Sequence, residues 1–87
     1  MSIKARTVTL TTTPVLLESP QKGIVVYFDV SVSNARIGGS DLTTSTNGFN
    51  PNNLNNPGDS IALDRGDDLY GVATTGTAVI SYLVIGN

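Results

Sequence analysis

The chain's 87 residues make one domain, residues 1–87, and a domain of this size hides only somewhat more than about 60% of its unfolded surface, so its core is thin. It has no Cys and no His, which excludes disulfides and the usual zinc sites and leaves association with other subunits as a source of extra stability. Net charge is -2 and the five cations, Lys4, Arg6, Lys22, Arg36 and Arg65, are scattered, so no basic footprint for nucleic acid is present.

Apolar residues supply 39% of the chain and charged residues only 14%, with Thr, Ser, Asn and Gly filling much of the rest. A disordered chain carries more charge and fewer β-branched residues, so an all-β domain with a hydroxyl-rich surface is expected. No window approaches the length of a membrane span, and MSIKARTVTL has no apolar run long enough for a signal peptide. The expectation is a chain made and assembled in the cytoplasm.

In RTVTLTTT, Val8 and Leu10 share one face and Thr7, Thr9 and Thr11 the other, which predicts a first strand. Residues 1–6 before it are a candidate N-terminal arm. Thr13-Pro14 interrupts the pattern, VLLES resumes it as a short apolar piece, and SPQKG is a turn. GIVVYFDVSVSN predicts a third strand with Ile24, Val26, Phe28, Val30 and Val32 toward the core, and ARIGG reads as its answering strand after a tight turn at Ser33 and Asn34.

Between residues 39 and 60 the period fails in an Asn- and Gly-rich excursion anchored by Leu42, Phe49 and Leu54, with one short strand expected at DLTTS and a tight-turn signal at Asn47-Gly48. A connection this long inside a compact domain is usually functional or ordered by a partner. Alternation returns in SIALD, with Ile61 and Leu63 inward. RGDD is a turn, LYGVAT a strand, and TTGT a hairpin connection into the last strand. That last strand, AVISYLVIG, is apolar on both faces: Val79, Leu83 and Ile85 point one way, and Ala78, Ile80, Tyr82 and Val84 the other. Seven or eight short strands without a significant helix predict an antiparallel β-sandwich or jelly roll.

Candidate chemistry is sparse. Without His or Cys the common general base and the best nucleophile are missing, and Lys4 and Lys22 sit at a chain end and in a turn, so an enzyme is not expected. Asp59, Asp64, Asp67 and Asp68 offer oxygen ligands for a hard cation, but their spacing does not match an EF-hand loop, and DRGDD reads more simply as a solvated turn. Arg65-Gly66-Asp67 also spells a tripeptide that adhesion receptors read, which a tight turn explains equally well. Phe49 with Asn50, Asn52 and Asn53 is a candidate sugar-binding set, although the chain has no Trp and its other aromatics, Tyr27, Phe28, Tyr70 and Tyr82, fall in strands.

The order ARIGGSDLTTSTNGF, then PGDSIAL, then DDLYGVATTGTAVISYLVIG resembles small β-sandwich structural proteins of tailed bacteriophages, of the head decoration or cement type. The matching residues are Ile37, Gly38, Thr44, Gly48, Phe49, Pro57, Gly58, Asp59, Ser60, Leu69, Tyr70, Ala73, Gly76 and Thr77, spread over roughly residues 24–87. NPNNLNN is longer than the corresponding stretch in such chains. The resemblance implies a non-enzymatic virion protein on the capsid surface, a homotrimer whose partner is the major capsid protein, with no cofactor.

On that basis Ile80, Tyr82 and Val84 are expected at a subunit interface, and Lys4, Arg6, Phe49 and Leu54 against the capsid. The alternatives are a carbohydrate- or receptor-binding module and a tail or baseplate subunit of the same fold. A plainer account of the last strand makes it central in the sandwich, with the N-terminal arm covering its second face.

Overall fold

The computed structural model describes residues 2–29, 34–43, 48–50 and 60–86. Among these lie seven strands and no helix: β1 (Ser2–Leu10), β2 (Val15–Glu18), β3 (Ile24–Asp29), β4 (Ala35–Gly38), β5 (Ile61–Leu63), β6 (Leu69–Ala73) and β7 (Ala78–Gly86). The odd-numbered strands form one sheet in the order β1-β7-β3-β5, and the even-numbered strands form the other, β2-β6-β4. Each step along the chain therefore crosses from one sheet to the other.

Every pairing is antiparallel, and the pairings nest. β1 pairs with β7, β2 with β6 and β3 with β5; innermost, Ile37 of β4 exchanges backbone hydrogen bonds of 2.8 and 2.9 Å with Phe49. The chain is one long hairpin whose apex lies between β4 and Phe49. Rolling that hairpin up adds the side-by-side pairs β3–β7 and β4–β6. The result is a jelly roll, an all-β sandwich of two antiparallel sheets.

Several local expectations fail for one shared reason. The turn expected at Ser33 and Asn34 does not join β3 to β4 as a hairpin, nor does TTGT join β6 to β7, because each pair is divided between the sheets. Small polar residues specify a reversal of the chain but not which strand it will pair with. The two corners are instead stitched together: the Asn34 side chain donates to the carbonyls of Thr75 (2.9 Å) and Thr77 (3.1 Å), and the Thr74 amide donates to the Asn34 carbonyl (2.7 Å). Residues 2–6 are not a free arm, since they pair along β7 from Ser2 opposite Gly86 onward. In DLTTS, Asp41, Leu42 and Thr43 are not in a strand, and Thr44 and Ser45 lie outside the described residues, as do Val30 and Val32.

The core fills the space between the sheets. Leu10, Val26, Phe28, Ala78, Ile80, Tyr82 and Val84 face inward from the four-stranded sheet, against Leu17, Ala35, Ile37, Leu69 and Ala73 from the other. Ile80, Tyr82 and Val84 were expected at a subunit interface; they line the chain's own core instead, with exposures of 0%, 3% and 7%. β7 is apolar on both sides, so its pattern separates two sets of residues without saying which set faces in. Central placement also resolves the plainer account of this strand: β1 lies along its edge and covers neither face.

Two glycines are required by their surroundings. A Cβ at Gly71 would meet Leu17 Cδ1 at 3.0 Å and Leu10 Cδ2 at 3.1 Å, so the sheets approach closely there. Gly48 combines a φ of 96° with a position where a Cβ would lie 2.5 Å from Leu42 Cδ1. Leu42 thereby packs the apex of the hairpin against β4. Gly71→Val is expected to lower stability by about 1–3 kcal/mol through overpacking, read as a reduced urea midpoint. Gly23→Ala, where the nearest atom is 4.0 Å away, should stay within about 0.5 kcal/mol of the parent.

Candidate functional site

The outer face of the four-stranded sheet is built by the other half of the β alternation. Cross-strand register arranges its residues in rows: Ile3, Ile85, Val25 and Ala62 first, then Ala5, Leu83 and Tyr27, then Thr7, Ser81 and Asp29, and last Thr9 with Val79. The first two rows are apolar and the third is polar. Ile3 is 67% exposed, Val79 52% and Leu83 36%, while Val25, Tyr27 and Ile85 are half-buried. With strands about 4.8 Å apart and rows about 6.8 Å apart, the two apolar rows cover roughly 250 Å².

Two depressions open on this face. One, of about 420 Å³, lies at the apolar end over Val25, Ala62 and Ile85, with Asp64 and Asp67 at its rim. The other, of about 360 Å³, lies over the second and third rows, lined by Ala5, Thr7, Tyr27, Asp29, Ser81 and Leu83 together with their strand neighbours Arg6, Phe28 and Tyr82. The Thr7 and Ser81 hydroxyls lie 3.1 Å apart and share a hydrogen bond. Among the described residues, neither the Tyr27 hydroxyl nor the Asp29 carboxylate has a hydrogen-bond or ion-pair partner.

A separate polar cluster closes the side of the sandwich where β1 and β2 meet. A bulge in β2 between Leu16 and Glu18 breaks the alternation and turns Leu17 and Glu18 inward together. Glu18 is 9% exposed. Its Oε2 accepts from Arg6 Nη1 at 2.8 Å and from the Tyr82 hydroxyl at 2.9 Å, and its Oε1 lies 3.9 Å from Lys4 Nζ. Arg6 also donates to the Leu17 carbonyl at 2.8 Å and stands 5.9 Å over the Tyr82 ring.

This cluster is a structural clasp. Burial holds the Tyr82 hydroxyl well above its usual range, and the hydrogen bond to Glu18 and that residue's negative charge raise it further. Arg6 is raised as well, first by its hydrogen bond to Glu18. Neither of these two groups exchanges a proton near neutral pH, so neither serves as a general acid or base there.

Of the four expected capsid contacts, the three that are described do not lie together. Lys4 and Arg6 sit on β1 and point toward Glu18, whereas Phe49, 45% exposed, pairs beyond β4 at the opposite edge of the sandwich. Leu54 lies outside the described residues, as do Asn52, Asn53 and Asp59. The remaining turn carboxylates are engaged locally: Asp67 Oδ2 accepts from the Asp64 amide (2.9 Å), Asp64 Oδ1 from the Arg65 amide (2.7 Å), and Asp68 Oδ1 from the Ser19 hydroxyl (2.7 Å). Among the described residues no three acidic side chains gather as a cation site. Arg65, Gly66 and Asp67 are exposed at a turn in which the Asp67 carboxylate folds back on its own backbone.

Sequence reasoning missed Glu18 and the Tyr27–Asp29 depression. A lone acid in VLLES gives no sign of burial, because a bulge leaves no mark in residue order.

Replacing Glu18 by Leu leaves Arg6 and the Tyr82 hydroxyl with only the Leu17 carbonyl as acceptor, with an expected loss of about 1–2 kcal/mol in urea unfolding at neutral pH. Tyr82 sets the alkaline limit. Its folded pKa is raised, so the folded chain keeps a proton that the unfolded chain releases above the ordinary value of about 10. Stability is intact below that pH and falls as pH climbs beyond it; Tyr82→Phe should flatten the fall, measured as unfolding midpoints between pH 8 and 11. Compared with family models, curated proteins and solved structures, the chain matches none of them.

Proposed function

We propose that the chain is a non-enzymatic structural subunit of a tailed-bacteriophage virion, a head decoration or cement protein. It seats on the capsid as a homotrimer and stabilises the shell by bridging neighbouring copies of the major capsid protein. The observation that carries this reading is the apolar end of the outer face, where Ile3, Ile85, Val25 and Ala62 run in one row across all four strands. An apolar row spanning a sheet, with no described strand over it, suits contact with another chain more than a bare surface. The order of motifs from ARIGGSDLTTSTNGF to the last strand supports the virion assignment.

The size of the patch bears on how such a protein works. Roughly 250 Å² is about a third of the 800 Å² that each partner contributes to a standard interface, so a single contact is weak. A shell that presents many sites in register raises the effective concentration, and weak contacts then add up to firm attachment. β1 contributes too, as an end strand of its sheet: its outer edge, unpaired among the described residues, can take a strand from a neighbour. In this reading Phe49, on the opposite edge, meets the shell while the apolar row meets a sister subunit.

Light scattering over a concentration series should show the mass rising from one chain of 9.1 kDa toward three. Ile3→Glu, at the most exposed apolar position, should hold the chain at one without changing its circular dichroism. The parent should also co-sediment with capsids of the phage that encodes it. A chain that stays monomeric throughout and leaves those capsids unbound would falsify the reading.

A further inference from the structure

The depression over Tyr27 and Asp29 shares only its second row, Ala5, Leu83 and Tyr27, with the apolar patch of the proposed subunit contact, whose first row lies toward the other end of the same face. Its chemistry differs as well. The second row supplies an apolar floor, Ala5 and Leu83, beside a half-buried aromatic ring, Tyr27. The third row supplies three oxygen-bearing side chains side by side, Thr7, Ser81 and Asp29, in consecutive strands β1, β7 and β3. Tyr27 and Asp29 lie on one strand two residues apart, so both project to this face about 6.8 Å from each other.

The hydrogen-bonding groups select the ligand class. An ionised Asp29 only accepts, so its partner must donate, and its two oxygens together have room for more than one donor. The Thr7–Ser81 bond consumes one hydroxyl proton of two, leaving one donor and several lone pairs facing outward. The Tyr27 hydroxyl adds one further donor and acceptor without a partner among the described residues. Arg6 borders the depression, but its guanidinium is held by Glu18 and the Leu17 carbonyl, and Lys4 is drawn to Glu18 as well, so among the described residues no unpaired cation is offered to a ligand. Anionic ligands such as phosphates and acidic sugars are therefore disfavoured.

A ligand that fits must be neutral, donate through several hydroxyls, and present an apolar face to an aromatic ring. Those are the properties of a pyranose. We propose that this depression binds one neutral sugar residue of a glycan, with its C–H face on Tyr27 and Leu83 and adjacent hydroxyls donating to Asp29 beside Thr7 and Ser81. The open shape and small polar set suit a dissociation constant on the order of 1–10 mM for one residue, which many copies on one surface would convert into firm attachment. The site stands apart from the virion assignment, because nothing in it depends on the shell.

The test is a ¹H–¹⁵N titration of the full chain with the methyl glycosides of glucose, galactose, mannose and N-acetylglucosamine. Methyl phosphate and tetramethylammonium serve as anionic and cationic probes. At least one neutral glycoside should give saturable shifts confined to the amides of Ala5, Thr7, Tyr27, Asp29, Ser81 and Leu83. Asp29→Asn should weaken that binding at least tenfold and Tyr27→Ala should abolish it, while Thr9→Ala, one row further along, leaves it unchanged; the remaining resonances report that each variant folds. Silence from all four glycosides, shifts elsewhere on the chain, indifference to Asp29→Asn, or a response to a charged probe alone would each overturn the proposal.

Discussion

The inner residues of β7, Ala78, Ile80, Tyr82 and Val84, make the contact on which both sheets depend. β7 is bonded along both edges, to β1 over nine residues and to β3 over six, so the four-stranded sheet is organised around it. Its inner row is packed in the core that also holds Leu17, Ala35, Ile37, Leu69 and Ala73 of the other sheet. Burying an aliphatic side chain contributes roughly 1.5–3 kcal/mol, and a whole domain is stable by only about 5–15 kcal/mol. A handful of residues on one strand thus accounts for a large share of what keeps so thin a sandwich folded.

That share runs out where β1 turns from Val8 and Leu10 to Arg6 and Lys4, and there electrostatics takes over. Glu18 reaches between the sheets because the bulge in β2 rotates it inward, and Arg6 and Tyr82 meet it with short, charge-assisted bonds. An ion pair in this position adds little net stability over a well-packed apolar group, but it is intolerant of misalignment. A shift of β1 along β7 by one residue would carry Arg6 to the outer face and leave Glu18 without its main partner. The clasp therefore fixes register at the end of the sandwich where the apolar pattern has faded.

The strands were legible because alternation is local. Val8 and Leu10, Val26 and Phe28, and Ile37 face the core as their spacing implies, and seven strands lie close to where β-branched runs meet turn residues. Partners were not legible, because a jelly roll pairs strands that are distant in sequence, and a turn such as TTGT reads the same whether it closes a hairpin or rounds a corner. The two faces of β7 could be separated but not oriented, so Ile80, Tyr82 and Val84 were assigned outward. The candidate site was least visible of all: Ile3, Leu83 and Tyr27 acquire meaning only when β1, β7 and β3 are placed side by side.

The nesting of the strands has a consequence for how the chain reaches its fold. Among the described residues only the innermost pairing, Ile37 with Phe49, is near in sequence; each outer pair encloses all the pairs within it, and the β1–β7 pair encloses them all. Loop closure before reward is what makes topologies of high contact order slow, on the order of milliseconds to seconds rather than microseconds. During synthesis β1 waits for β7 to emerge, with Val8 and Leu10 open to water and its backbone unbonded on both sides. The chain is at its stickiest until β7 joins the sheet.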